Sequence, residues 1–201
     1  AQDGGVFAFG DAVFYGRPTV AGVVVPTGRQ VPGNLQVSAA AASFIASYEG
    51  FRSQPYNDPV GHCTIGYGHL LHQGNCTQVD RNKWGTWTQA EAKGWLQQDA
   101  DRLVNGIKPS IATTPLHQHE FDALASWAYN LGYGGFAGSG LDIQLSKSPP
   151  NYGAVPGELL KWVNANGVKL CGLYRRRTNE GKLFSTSSYA IVTVTCPSGY
   201  R

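Results

Sequence analysis

The sequence predicts an α+β fold, mainly helical, with a small β-hairpin or sheet. Three observations carry that expectation. Thr88 with Glu91 forms a capping box opening an amphipathic run, with Ala92, Trp95, Leu96, Ala100, Leu103, Val104 and Ile107 on one stripe. Helical periodicity recurs on both sides of that run. Between the first two helical runs lies a short strand-like stretch, His62 to Tyr67, preceded by the turn residues Pro55 and Asn57-Asp58-Pro59-Val60-Gly61.

Taken along the chain, residues 1–18 read as a β-type segment. Asp3-Gly-Gly-Val-Phe-Ala-Phe-Gly-Asp-Ala-Val-Phe-Tyr-Gly16 resembles one unit of a tandem β-repeat of secreted actinobacterial proteins, and no second copy follows. Residues 19–37, rich in Pro and Gly, read as a connector. Residues 38–187 read as the main folded domain and 188–201 as a tail. Ser38 is placed to cap a helix in which Ala41, Phe44, Ile45 and Tyr48 recur at helical spacing, with Glu49 in its last turn and Gly50 as the stop. The long run from Thr88 spans roughly five turns and ends before Pro109. Thr114-Pro115 reads as cap and first residue of the next helix, which carries Phe121, Leu124, Ala125 and Ala128 and closes at Gly132. A Gly-rich bend to Gly140 leads to shorter helices around 157–163 and 173–184. The alternating tail from Tyr189 to Thr195 is expected to pair with Val23-Val24-Val25.

Two carboxylates and a hydroxyl converge in sequence around the 55–61 turn. Glycoside cleavage needs one carboxyl that gives a proton to the leaving oxygen and a second, ionised one that activates water or steadies the positive sugar ring. Glu49, ending a helix among apolar side chains, is expected to keep its proton, and Asp58, in a polar turn, to stay ionised. Either residue alone would be ordinary structure. The spacing Glu, eight residues, Asp, five residues, Thr64, followed by Ile65-Gly66-Tyr67-Gly68-His69-Leu70-Leu71, makes the pattern specific.

These residues resemble the phage-type lysozymes, glycoside hydrolase family 24. So do Trp127-Ala128-Tyr129-Asn130-Leu131-Gly132 and the later stretch from Gly172 to Phe184. The resemblance implies a lysozyme-like fold with a long lobe-connecting helix. It implies a muramidase that cleaves the β-1,4 bond between N-acetylmuramic acid and N-acetylglucosamine, with inversion. It also implies Glu49 as general acid, Asp58 as the carboxylate that orients water, and Thr64 as that water's hydrogen-bond partner. Gly68, Leu70, Tyr129 and Asn130 are then expected to contact sugar, the alternative being that Trp127 and Tyr129 are plain core. Asp99 falls on the apolar face of the long helix, where an unpaired carboxylate is costly; His69 is its expected partner, for stability and not for catalysis.

Composition fits this reading. The 201 residues carry a net charge of +3 with only 14% charged residues, which suits an anionic bacterial wall and is too weak a bias for nucleic acid. Arg175, Arg176 and Arg177 are candidates for wall carboxylates, with Arg176 pairing to Glu180 as the plainer use. No apolar run approaches membrane-spanning length, so no membrane anchor is expected. Four cysteines in no metal-ligand pattern are expected to pair as Cys63–Cys76 and Cys171–Cys196, the choice closing the shortest loops among three connectivities. Disulfides place the protein in an oxidising, extracellular space, and the lack of any Met suggests a processed chain. His69, His72, His117 and His119 lack a third ligand at usable spacing, so no metal and no cofactor are expected. The expected partner is peptidoglycan, met by a monomer. Two other readings compete: a wall-binding module that has lost its activity, and a lytic transglycosylase.

Overall fold

A computed structural model describes residues 28–201. The repeat-like segment 1–18 and Val23–Val25 lie outside the described residues. The first elements among the described residues are a short 3-10 turn at Pro32–Asn34 and α1 at Ala39–Ala46. A three-stranded antiparallel sheet follows, β1 at Arg52–Asn57, β2 at Cys63–Gly66 and β3 at His69–His72, in the order β1-β2-β3. Next come α2 at Gln78–Trp84, the long α3 at Gln89–Asn105, α4 at Gln118–Leu131, α5 at Gly140–Leu145 and α6 at Val155–Leu159. A two-stranded hairpin, β4 at Asn164–Ala165 and β5 at Val168–Lys169, leads to α7 at Cys171–Thr186. The mainly helical α+β architecture is the one the sequence predicts.

The core forms around α4. Phe121, Ala123, Leu124, Ala125, Trp127 and Ala128 are all wholly buried, so nearly the whole circumference of the helix faces protein. Each large side chain among them contributes roughly 1.5–3 kcal/mol through burial. The acids and the serine that α4 carries inward are partnered, while the buried Trp127 indole N–H is not. Glu120 takes a two-pronged contact from Arg29 (3.0 and 2.7 Å), Asp122 accepts from Ser38, Gln118 and Tyr189, and Ser126 donates to Glu180 at 2.7 Å. Around this helix pack α1, α3 and α7.

Several boundaries move. α1 stops at Ala46, so Glu49 stands three residues beyond it rather than in its last turn, in a stretch where Tyr48 and Glu49 still donate back to Ile45 and Ala46. α4 is capped at His117 and starts at Gln118, not at Thr114-Pro115; there Glu120 reaches back to the His117 N–H at 2.7 Å, while the Thr114 hydroxyl donates to the Leu145 carbonyl. Pro55, read as a turn, sits inside β1 where the register shifts between Arg52 and Tyr56. A proline is tolerated there because β1 is an edge strand and the bulge needs no ladder N–H. Among the described residues, the tail from Tyr189 to Thr195 pairs with no strand. Its backbone is held by side chains of α7, Asn179 bonding both the N–H and the carbonyl of Val192 and Arg175 the carbonyl of Val194.

Residues 29–37, the end of the Pro/Gly stretch, lie against the helical body. Gln30 bridges Leu116, Leu35 and Val37 are buried, and the Val37 N–H donates to Asp101 at 2.7 Å. Burial pushes Asp101 up to about 6, with Val37 and Lys108 opposing and Asp122 adding to the rise. The folded state thus holds the Asp101 proton more tightly than the unfolded chain, whose value is about 3.9. Its contribution to stability is complete below about pH 4 and is lost as pH rises through about 6. Asp101→Asn keeps an acceptor for Val37 and removes the titration. The variant's melting temperature should gain on wild type between pH 4 and pH 7; a constant difference would refute this.

Candidate active site

Glu49 reaches a cleft of about 380 Å³ whose wall includes Tyr67, Gly68 and Leu70 from the β2–β3 edge. Asp99, Arg102 and Leu103 of α3 form another side, and Tyr129 and Asn130 of α4 close it. All four residues proposed from sequence as sugar contacts therefore line one hollow with Glu49. Two have part of their polarity already engaged. The Tyr129 hydroxyl donates to the Tyr67 carbonyl at 2.8 Å, and Asn130 accepts from Arg177 at 2.8 Å.

The Glu49 side chain is 26% exposed, and its Oε1 accepts from Arg176 Nη1 at 2.7 Å. Arg176 is itself buried. It also donates to Glu180 Oε1 at 3.3 Å and to the Ser126 carbonyl at 3.2 Å, with its guanidinium 5.1 Å from the Tyr48 ring centre. Next to it Arg177, wholly buried, lies 3.0 Å from Glu180 Oε2 but off the hydrogen-bond line, so that contact is electrostatic. Burial lowers the Arg177 guanidinium from its ordinary value, with Glu180 opposing. Of the three adjacent arginines, then, only Arg175 stays exposed, and Arg176 serves both Glu180, as the sequence suggested, and Glu49, which it did not. The apolar surroundings expected for Glu49 are replaced on one side by this cation.

Asp58 sits in the turn between β1 and β2. Its Oδ1 accepts from the backbone N–H groups of Val60 (3.0 Å) and His62 (2.8 Å), which is the usual way an Asp shapes its own turn. The carboxylate stays partly open to solvent at 23% exposure. Thr64 is nearly buried in β2, its hydroxyl donating weakly to the His62 carbonyl at 3.3 Å, and it faces Tyr56 across the β1–β2 register and Leu70 across β2–β3. One phenol ties sheet and cleft together. Tyr56 is raised from its ordinary value by burial first, then by Asp58 and also by Glu49, with Arg52 opposing. Both carboxylates therefore act on the same hydroxyl. Neither Asp58, in the turn, nor Thr64, on β2, is among the residues that line the cleft.

Gly66 explains why the strand must end as it does. Its φ is +71°, and a Cβ there would stand 3.1 Å from the Ala92 side chain and 3.2 Å from the Trp87 ring. Gly66→Ala should cost about 1–3 kcal/mol from backbone conformation alone, plus crowding against α3, readable as a lowered urea midpoint. An unchanged midpoint would contradict the geometry.

His69 Nδ1 lies 2.8 Å from Asp99 Oδ2, the partnership anticipated from sequence. His72 Nε2 pairs with Asp80 at 3.1 Å, and His117 stacks on His119. Cys63, His72 and Asp80 bring ligand atoms within 4.8 Å of one another, but the Cys63 sulfur is bonded to Cys76. Cys171 is bonded to Cys196. Both disulfides are those the shortest-loop argument selects. Sequence reasoning missed Arg176 as the partner of Glu49 and did not single out Tyr56, Tyr67, Arg102 or Leu103. A signal for Arg176 existed: an arginine on the same helical face as Leu183 and Phe184 needs an acidic partner inside the fold.

Comparison with known proteins places the family and the fold. A family profile described as phage lysozyme matches residues 46–180. The chain is 31% identical over 156 residues to an endolysin of Bacillus phage PZA, covering 77% of this chain and 57% of that protein, so it spans little more than half of that relative. It is 33% identical to the endolysin of Salmonella phage P22, covering 75% of this chain and 98% of that one. Among solved structures, the muramidase domain of SpmX from Asticaccaulis excentricus superposes with a TM-score of 0.61 at 29% identity, over 76% of this chain and 99% of that one. A P22 lysozyme mutant gives 0.62 at 29% identity, over 75% and 98%. With the profile spanning two thirds of the residues and the cleft carrying Glu49 at its wall, the chain belongs to the phage lysozyme family.

Proposed function

We propose that this protein is a muramidase that hydrolyses the β-1,4 bond between N-acetylmuramic acid and N-acetylglucosamine in peptidoglycan. The observation that carries the reading is Glu49, held by Arg176 in the wall of a saccharide-sized cleft, beside the turn that bears Asp58 and the strand that bears Thr64. Relatives named as endolysins, and a neighbour named as a muramidase domain, support it.

In this reading Arg176 occupies Oε1 of Glu49 and leaves Oε2 to carry the proton that goes to the leaving glycosidic oxygen. Arg176 then faces the carboxylate that remains. Asp58, fixed by two backbone N–H groups, orients a water on the opposite face of the sugar, and the Thr64 hydroxyl helps hold that water. Direct attack by water inverts the anomeric centre. Acid, base and water suffice, so no cofactor or metal is called for. Two disulfides suit work in an oxidising, extracellular space.

Digestion of purified walls tests the proposal. Mass spectrometry of the fragments should find hydrated, reducing N-acetylmuramic ends, and NMR should show the α anomer first. Anhydromuramic ends would make the protein a lytic transglycosylase. Binding to walls without new ends would make it a binding module.

A further inference from the structure

Arg102 is the one cation among the described residues that line the cleft, and its side chain is 73% exposed. The two acids beside it each have a partner of their own. Glu49 has Arg176 at 2.7 Å and Asp99 has His69 at 2.8 Å. Arg102 also pairs with the Oδ1 of Asp99, one helical turn away. The Asp99 end of that pair is nearly buried at 12% exposure, but the Arg102 end stands in solvent, where water can replace the contact. Asp99 would keep His69 on its other oxygen if Arg102 let go. A guanidinium has five donors in a rigid fork, and only one contact to Asp99 is made here.

A muramidase substrate differs from a neutral polysaccharide chiefly in its carboxylates, borne by the lactyl group of muramic acid or by the attached peptide. We propose that Arg102 is a specificity-determining residue that leaves Asp99 to take a substrate carboxylate in a bidentate contact, so that the cleft prefers acidic wall glycan to an uncharged one of the same backbone. This rests on the muramidase reading and names the feature of the substrate that the cleft selects. A fork-on-carboxylate geometry suits Arg better than Lys, and the contact should weaken as salt rises.

Binding rather than turnover gives the cleanest test, with Glu49→Gln as the parent so that ligands survive. Three soluble glycans serve as probes: one with peptides attached, one stripped by an amidase to free lactyl carboxylates, and the stripped glycan methyl-esterified. Arg102→Ala should weaken binding of a carboxylate-bearing glycan about ten- to a hundredfold, leave the esterified glycan unchanged, and be partly rescued by Arg102→Lys. Loss confined to the peptide-bearing glycan assigns the contact to the peptide; loss that includes the stripped glycan assigns it to the lactyl group. Equal loss on all three, or on none, overturns the proposal while the muramidase reading stands. A parent that binds none of the three removes both.

Discussion

Glu49→Gln should leave the protein folded and abolish wall lysis. The amide is nearly the same shape as the carboxyl, and its oxygen can still accept from Arg176 Nη1, so the cleft should keep its form. It cannot give up a proton to a leaving oxygen. General acid catalysis contributes typically 10²–10⁴-fold, and glycoside cleavage without it leaves a poor alkoxide as leaving group, so a loss of at least about 10³ is expected. Clearing of a Gram-positive cell suspension measures it, alongside a pull-down on purified walls that should remain positive. Asp58→Asn is the companion variant. Its side-chain oxygen can still accept from Val60 and His62, preserving the turn while removing the negative charge. A Glu49→Gln protein that clears cells as wild type does would end the acid-catalysed reading, whatever the family membership.

The parts of the fold legible in sequence are those where one physical signal dominated. α3 announced itself through a capping box and an unbroken apolar stripe, and both survive, with Ala92, Leu96, Ala100 and Val104 buried. The strand expected from His62 to Tyr67 was readable because it follows a cluster of turn residues, and it is found as β2 at Cys63–Gly66. Other elements lacked such a signal. α2 buries no residue at all, so it has no stripe to detect; only its Thr77–Asp80 capping box marks it. β1 was hidden by Pro55 and by the bulge that lets the strand tolerate it. α7 proved longer than its apolar pattern because Arg176, Arg177, Asn179 and Glu180 occupy inward positions, where a periodicity argument expects hydrocarbon.

The same reason limited the site. The Glu-Asp-Thr spacing could be read because it is local, nearly contiguous along one turn. The contact that holds Glu49 joins residues 127 apart in sequence, and no spacing rule reaches that far. Loops and turns bring the chemistry, and a distant helix supplies the brace.

That brace makes Arg176 the residue whose loss should cost the fold most among the site residues. Four groups depend on it: Glu49, Glu180, the Ser126 carbonyl and the Tyr48 ring. Arg176→Met fills much of the space but strands Glu180, which is wholly buried and would retain only Ser126 and the misaligned Arg177. Breaking a buried pair in this way costs about 3–5 kcal/mol, a large share of the 5–15 kcal/mol that a domain typically has. Urea unfolding with the disulfides intact should show it. Adding Glu180→Gln to Arg176→Met should recover part of the loss, since a neutral amide is cheaper to bury unpaired than a carboxylate. Activity should behave differently. Arg176→Lys keeps one charge but lacks the fork that spans Glu49 and Glu180 together, so it should fold better than Arg176→Met yet remain slow, and the double variant should regain stability without regaining lysis. If Arg176→Met matched wild type in stability, the ion network would be ornament. If the double variant lysed walls at the wild-type rate, Arg176 would have no part in holding Glu49 for proton transfer.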